Sequence, residues 1–197
     1  MAAVTDRGQG FTLEAVLAAM VLLTTIAMAF HLVGITPNTP STSDASDVRE
    51  QRAIVDGVLA ASVDDGSLQA TLRYWDDEAG GFHNTTDGYY VSQKPPTAFG
   101  ERLERVLHED GIKYNVYAQV VTNEGIATQP IVVHGTPTDQ AVRSVSTVTL
   151  LPSDRLIEAN GTASSTTLAA AETFYASDAL DGGHAAVVRI EVVVWRT

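Results

Sequence analysis

The sequence predicts an α+β fold, with an N-terminal transmembrane helix followed by a single domain with an antiparallel sheet and two or three packed helices. Three observations predict it. Residues 15–35 form an uninterrupted apolar run. Two later segments repeat apolar residues at helical spacing. The second half of the chain alternates apolar and polar residues, with short turns and no recurring strand–helix–strand unit, which is the pattern of an antiparallel sheet.

The apolar run contains no formally charged side chain when His31 is neutral, and Thr24 and Thr25 are its only polar residues before His31. As a helix it spans about 31 Å, the thickness of a bilayer's hydrocarbon core. A buried helix of a soluble domain shows a polar stripe, which is missing here. Arg7 precedes the run, whereas Asp44 and Asp47 follow it. This places residues 1–14 in the cytoplasm as a short leader and the bulk of the chain outside. Pro37, Pro40 and the surrounding Ser and Thr mark 36–47 as a polar stalk, leaving 48–197 as the extracellular domain. Ala27-Met28-Ala29 is an A-x-A site and keeps a second processing open, secretory cleavage after Ala29 with release of a soluble protein.

Within the domain, Ser46 or Asp47 is expected to cap a helix whose stripe is Val48, Ile54, Val55, Val58, Leu59 and Ser62, with Gly66 ending it. A strand is expected over 68–75, then a turn over 76–81, with Phe82-His83 and Gly88 to Val91 as the returning side of a hairpin. Phe99, Leu103, Val106 and Leu107 mark a short helix that stops at Gly111. Ile112, Tyr114, Val116, Ala118 and Val120 alternate as a strand, and Asn123-Glu124-Gly125 turns the chain. Strands are expected over 131–134 and 141–151, a polar loop over 153–165 and a helix over 168–175. Ala186, Val188, Ile190, Val192 and Val194 define the last strand.

Composition narrows the chemistry. The 24 acidic side chains outnumber 12 basic ones, giving a net charge of −12, and Lys94 and Lys113 are the only lysines. Nucleic acid is an unsuitable partner, because phosphates need a basic face. An acidic, lysine-poor surface suits high salt, which screens its self-repulsion. The absence of cysteine removes disulfides, thiolate metal sites and a thiol nucleophile. No nucleophile elbow, phosphate loop, dinucleotide fingerprint or zinc-protease motif is present, so no catalytic residue, cofactor or metal is assigned. His108-Glu109 begins the zinc-protease motif, but Ile112 stands where its second histidine belongs. The histidines at 31, 83, 108, 134 and 184 read as scattered surface or interface residues. Asp76, Asp77, Glu78, Asn84 and Asp87 crowd one hairpin and offer oxygen ligands for calcium, although their spacing is not that of an EF-hand, and a solvated charged turn is the simpler meaning. Asn84-Thr85-Thr86 and Asn160-Gly161-Thr162 are glycosylation acceptors in expected loops.

Arg7-Gly8-Gln9-Gly10-Phe11-Thr12-Leu13-Glu14 stands directly before the apolar run. It resembles the signal of type IV prepilins and pseudopilins. The resemblance implies a prepilin peptidase cutting on the cytoplasmic side, after Gly8 or after Gly10, with the helix left attached. It also implies that Glu14 pairs with the new N-terminal amine of a neighbouring subunit, although Glu14 would be the sixth or fourth mature residue where the family usually has its glutamate fifth. Glu14 at the interface with its head in water is the alternative. The Tyr-Trp-Asp hairpin at 74–76 and the ending from Val192 to Arg196 also resemble haloarchaeal pilin-like membrane proteins.

Three functional readings follow. The first is a pilin-like or pseudopilin-like subunit for surface assembly, adhesion or secretion, whose partners are the bilayer, other such subunits and the peptidase. The second is a stand-alone membrane-anchored domain that binds a ligand or partner and does not polymerise. The third is a membrane-tethered hydrolase using loop carboxylates and histidines.

Overall fold

The computed structural model describes residues 14–25, 42–107 and 111–196. They belong to two units that divide between Ser43 and Asp44. In the first, residues 14–25 are α-helical (α1). In the second, the element order is α2 (Thr42–Asp64), α3 (Ser67–Leu72), β1 (Trp75–Asp76), β2 (Gly81–Phe82), β3 (Tyr90–Val91), α4 (Ala98–Leu107), β4 (Ile112–Thr122), β5 (Gly125–Val133), β6 (Val142–Leu150), β7 (Arg155–Ile157), β8 (Ala163–Thr167), α5 (Ser177–Leu180) and β9 (Ala186–Arg196). Short 3-10 turns occupy Leu168–Ala170 and Asp181–Gly183. The fold class is α+β.

The main sheet has five strands in the order β3-β5-β4-β9-β6. Its three long pairings are antiparallel, but β3 joins β5 in parallel through Tyr90↔Val132 and Val91↔Val133, so the sheet is mixed. The alternation read from β4 and β9 holds. Tyr114, Val116, Ala118 and Val120 face the core together with Val188, Ile190, Val192 and Val194. Fully burying one such aliphatic side chain contributes roughly 1.5–3 kcal/mol. Leu59, Leu68, Phe99 and Leu103 from the helices complete this layer.

Several expectations are corrected. The segment 68–75 is not a strand: α3 occupies Ser67–Leu72, and its buried residues are Ser67, Leu68, Thr71 and Leu72, a helical spacing. The period of two seen in Leu68, Ala70, Leu72 and Tyr74 coincides with that helix by accident. Thr71 returns its hydroxyl to the Ser67 carbonyl (2.9 Å), and Asp65 accepts the Ser67 amide (2.9 Å) at the helix entry. Gly66 separates α2 from α3 with φ 74°, a conformation that costs a side chain dearly. α2 starts at Thr42 rather than after Ser46 or Asp47, so it takes in the second half of the expected stalk. Acidic residues near a helix N-terminus favour such an extension. Val48, expected in the buried stripe, is 40% exposed. Tyr90-Val91 does not return onto the Trp75 strand; among the described residues β1 pairs only with β2, through Trp75↔Phe82 and Asp76↔Gly81. The expected polar loop at 153–165 contains the β7–β8 hairpin, turned at Asn160-Gly161. Only three residues of the expected 168–175 helix are helical, as a 3-10 turn.

One polar lock ties the helices together. Arg102 of α4 donates to Ser62 Oγ (2.6 Å) and Ser67 Oγ (3.3 Å) and forms an ion pair with Asp65. The hydrogen bonds from Arg102 and Ser67 hold the Asp65 carboxyl well below the usual carboxylate range. Ser62 is completely buried. Replacing Arg102 by alanine leaves that hydroxyl without its charged donor and is expected to cost about 1–3 kcal/mol. Because the folded Asp65 gives up its proton more readily than the unfolded one, its contribution is fully present above about pH 4 and declines progressively as pH falls from there towards the depressed folded value. Urea unfolding at pH 7 and pH 3 checks this: the difference between wild type and Arg102→Ala should shrink at the lower pH.

Candidate functional site

The first candidate is α1. All its residues are exposed. Val16, Leu17, Met20, Val21, Leu22 and Leu23 are each 56–66% exposed and cover every side of the helix, so no polar stripe exists. Besides Glu14, its two polar side chains bond back to its own backbone. Thr24 donates to the carbonyls of Met20 and Val21 (2.9 Å each), and Thr25 to those of Val21 (2.8 Å) and Leu22 (2.9 Å). Such back-bonding removes the hydroxyl's demand for water. Glu14 stands at the start of these residues, exposed. Arg7, Gly8, Gln9, Gly10 and Phe11 lie outside the described residues, as do Ala29, His31, 26–35 of the apolar run and 36–41 of the stalk. Among the described residues no helix is long and apolar enough to cross a membrane.

The second candidate is the acidic hairpin. The structure gathers Asp76, Asp77, Glu78, His83 and Glu158 around a cleft of about 420 Å³ beside Trp75 and Leu156. Asp76, Asp77 and His83 have structural partners. Asp76 Oδ1 accepts the amides of Glu78 and Ala79 (3.1 Å each) and fixes the turn. Asp77 accepts the amides of Glu172 (3.0 Å) and Thr173 (2.8 Å), and the Thr173 hydroxyl (3.0 Å). Burial alone would raise the Asp77 carboxyl, but these donors win and lower it. His83 is buried rather than on the surface: Nε2 lies 3.0 Å from the Ile157 carbonyl and Nδ1 3.5 Å from Asp76 Oδ2. Asp87 and Asn84 do not line this cleft. Among the described residues no group of three or more His, Cys, Asp or Glu is placed to hold a metal ion. The chemistry on offer here is the clamping of one loop to another.

The third candidate is a cavity of about 370 Å³ that brings both lysines together with Ser92, Gln93, Glu104, Tyr114 and His134. Sequence reasoning missed it, because Lys94, Lys113 and His134 meet only when β5 pairs with both β3 and β4. Lys94 binds Glu101 (2.7 Å). Tyr114 Oη lies 3.5 Å from Glu104 Oε2, and its ring centre 4.3 Å from that of His134. His134 Nε2 is buried with no hydrogen-bond partner. Burial lowers the His134 pKa; the Gln93 backbone and Glu104 pull it back, and Lys113 adds to the lowering. Burial and Glu104 push the Tyr114 phenol up. Both rings are therefore neutral at neutral pH.

The two glycosylation triplets differ in geometry. Asn160 is exposed, and its Oδ1 accepts the Thr162 amide (2.9 Å) and the Thr162 hydroxyl (2.7 Å), so the triplet is folded on itself with the amide nitrogen turned away from those bonds. Asn84 sits at φ 63° and its Nδ2 is 3.5 Å from the Tyr74 hydroxyl.

A family model described as a family of unknown function, DUF7288, matches residues 7–194. The chain belongs to this family. The DUF7288 match opens at Arg7 and runs into β9, so the signal-like octapeptide, the apolar run and the head fall within one family unit. No curated protein and no solved structure matches the chain.

Proposed function

We propose that this DUF7288 chain is a membrane-anchored cell-surface subunit of pilin-like or pseudopilin-like type, without catalytic residues or cofactor. Its head faces outward for assembly, adhesion or secretion. The observation that carries this reading is α1: after Glu14 it is apolar apart from Thr24 and Thr25, whose hydroxyls bond its own backbone, and it continues directly from a prepilin-like signal. Charge-free apolar residues continue to Ile35, which gives the run the length a bilayer requires. In this reading the peptidase recognises Arg7 to Phe11 and the lipid-facing helix stays attached. Glu14 either meets a neighbour's amine or keeps its carboxylate at the interface, since a lone buried charge in lipid is costly.

Intact mass of the mature chain tests it. A chain beginning at Gln9 or at Phe11 supports peptidase trimming; a chain beginning at Phe30 means secretory cleavage and ends the reading. Glu14→Ala is expected to abolish incorporation into any filament while leaving membrane association unchanged.

The second reading, a stand-alone anchored domain that binds a ligand, draws support from the cavity that gathers both lysines. Under it Glu14→Ala has no effect on assembly, and Lys113→Ala reduces ligand capture.

An outward-facing head would meet a glycosylation machinery, and the two triplets should then differ. Asn160→Gln is expected to remove most of any glycan mass, and Asn84→Gln little of it. Glycopeptide mass spectrometry reads both.

A further inference from the structure

The two edges of the main sheet are built differently. At one edge, the two-residue β3 covers only Val132 and Val133 of β5, and the remainder of β5 carries Pro130 beside a register shift in its pairing with β4, features that hinder strand addition. At the other edge, β6 runs for nine residues in regular register with β9 and pairs with no second strand among the described residues. It has no proline, no bulge and no lysine. No carboxylate occurs between Asp139 and Asp154, in a chain whose net charge is −12. Val145, Thr147 and Thr149 are exposed along it.

A groove of about 430 Å³ runs beside the middle of this edge, lined by Val145 and Ser146 of β6 and by Arg52, Asp56, Leu59 and Ala60 of α2. Arg52 and Asp56 are 65% and 53% exposed and only 4.0 Å apart, so each keeps most of its charge available to a partner. They present one positive and one negative group at the level of the strand's centre. A two-fold axis there would set Arg52 of one copy against Asp56 of the other, twice. The same axis would oppose Ser146 to Ser146, Val145 to Thr147 and Arg143 to Thr149, with no like charges facing each other.

We propose that β6 is a dimerisation edge, at which a second copy of this chain adds its own β6 antiparallel and makes one continuous ten-stranded sheet. The occupant is a second copy because the edge and its groove are complementary to themselves in both hydrogen bonding and charge. An isologous contact needs that property. This contact uses the head alone, and holds whether or not the N-terminal helix assembles.

The chain's lack of cysteine makes a direct test available. Residues facing each other across an antiparallel pair have Cα atoms about 4.5–5.5 Å apart, within the range a disulfide spans. Full-length Ser146→Cys in native membranes, treated with a mild oxidant, is expected to give a dimer on a non-reducing gel. Glu158→Cys, exposed on the β7–β8 hairpin, serves as the control and is expected to stay monomeric. Adding Arg52→Asp to Ser146→Cys should abolish the dimer by facing acid to acid, and adding Asp56→Arg as well should restore it. Both positions are exposed, so folding is not at stake. The proposal is overturned if Ser146→Cys stays as monomeric as the control, or if the charge swap fails to restore what the single reversal removed.

Discussion

Trp75→Ala is expected to destabilise the head domain by about 3–5 kcal/mol, as large a loss as any single core truncation in this fold should produce. Trp75 is 4% exposed and stands where the ladder is weakest, because β1 and β2 contribute only two residues each. Side-chain contacts do the work that backbone pairing does elsewhere. The indole makes edge contacts with Phe82 (5.2 Å), Phe174 (6.0 Å) and Tyr175 (5.4 Å), and Nε1 donates to Thr173 Oγ1 at 3.3 Å. It thereby joins the hairpin at 75–82 to the segment at 173–175, some hundred residues later in sequence. Asp77 clamps the same segment from the outside. Trp75→Phe keeps most of the apolar volume but loses the indole bond and part of the ring, a smaller change of about 1–3 kcal/mol. Denaturant unfolding of the two variants should show this order. Equal effects would mean that the hydrogen bond, and not the buried ring, holds the junction.

That junction shows which parts of the fold were legible in sequence. β4 and β9 were, because each buries one face and leaves the other wetter, so Tyr114 to Val120 and Ala186 to Val194 write their period directly into the chain. α4 was legible for the same reason, with Phe99, Leu103 and Leu107 buried on one side. α3 was not, since six residues give too little length to separate a period of two from one of 3.6. β7 and β8 were missed because a small hairpin built from Leu156 and a run of Ser and Thr buries almost nothing apolar, and Asn160-Gly161 was its one local signal. The parallel partner of β3 could not be read, because two residues carry no direction. As for the candidate sites, α1 announced itself through hydropathy and the hairpin carboxylates through clustering. Their use as loop clamps depends on Thr173 and Glu172, about ninety-five residues away. The lysine cavity depends on the β3–β5 and β4–β5 pairings in the same way.

The anchoring proposed for the N-terminal helix leads to the second large effect. Leu22→Arg with Leu23→Arg is expected to move the full-length chain from the carbonate-washed membrane fraction to the soluble or degraded fraction. Leu22 and Leu23 are 60% and 66% exposed, and under the proposed anchoring they face lipid. An arginine near the middle of a spanning helix costs about 2.5–3.5 kcal/mol on insertion, and two exceed what the remaining apolar residues can offset. Thr24→Val with Thr25→Val should leave anchoring intact, because those hydroxyls already bond the carbonyls of the preceding turn and make no demand on solvent. The head reports on its own state through the fluorescence of Trp75 and Trp195, so loss of the anchor is separable from loss of the fold. Were the double arginine chain still membrane-bound, the head or a partner would have to hold it there, and α1 would lose its role as anchor. The contrast between the two double variants is the informative quantity: hydrophobic thickness predicts that two charges matter and two hydroxyls do not.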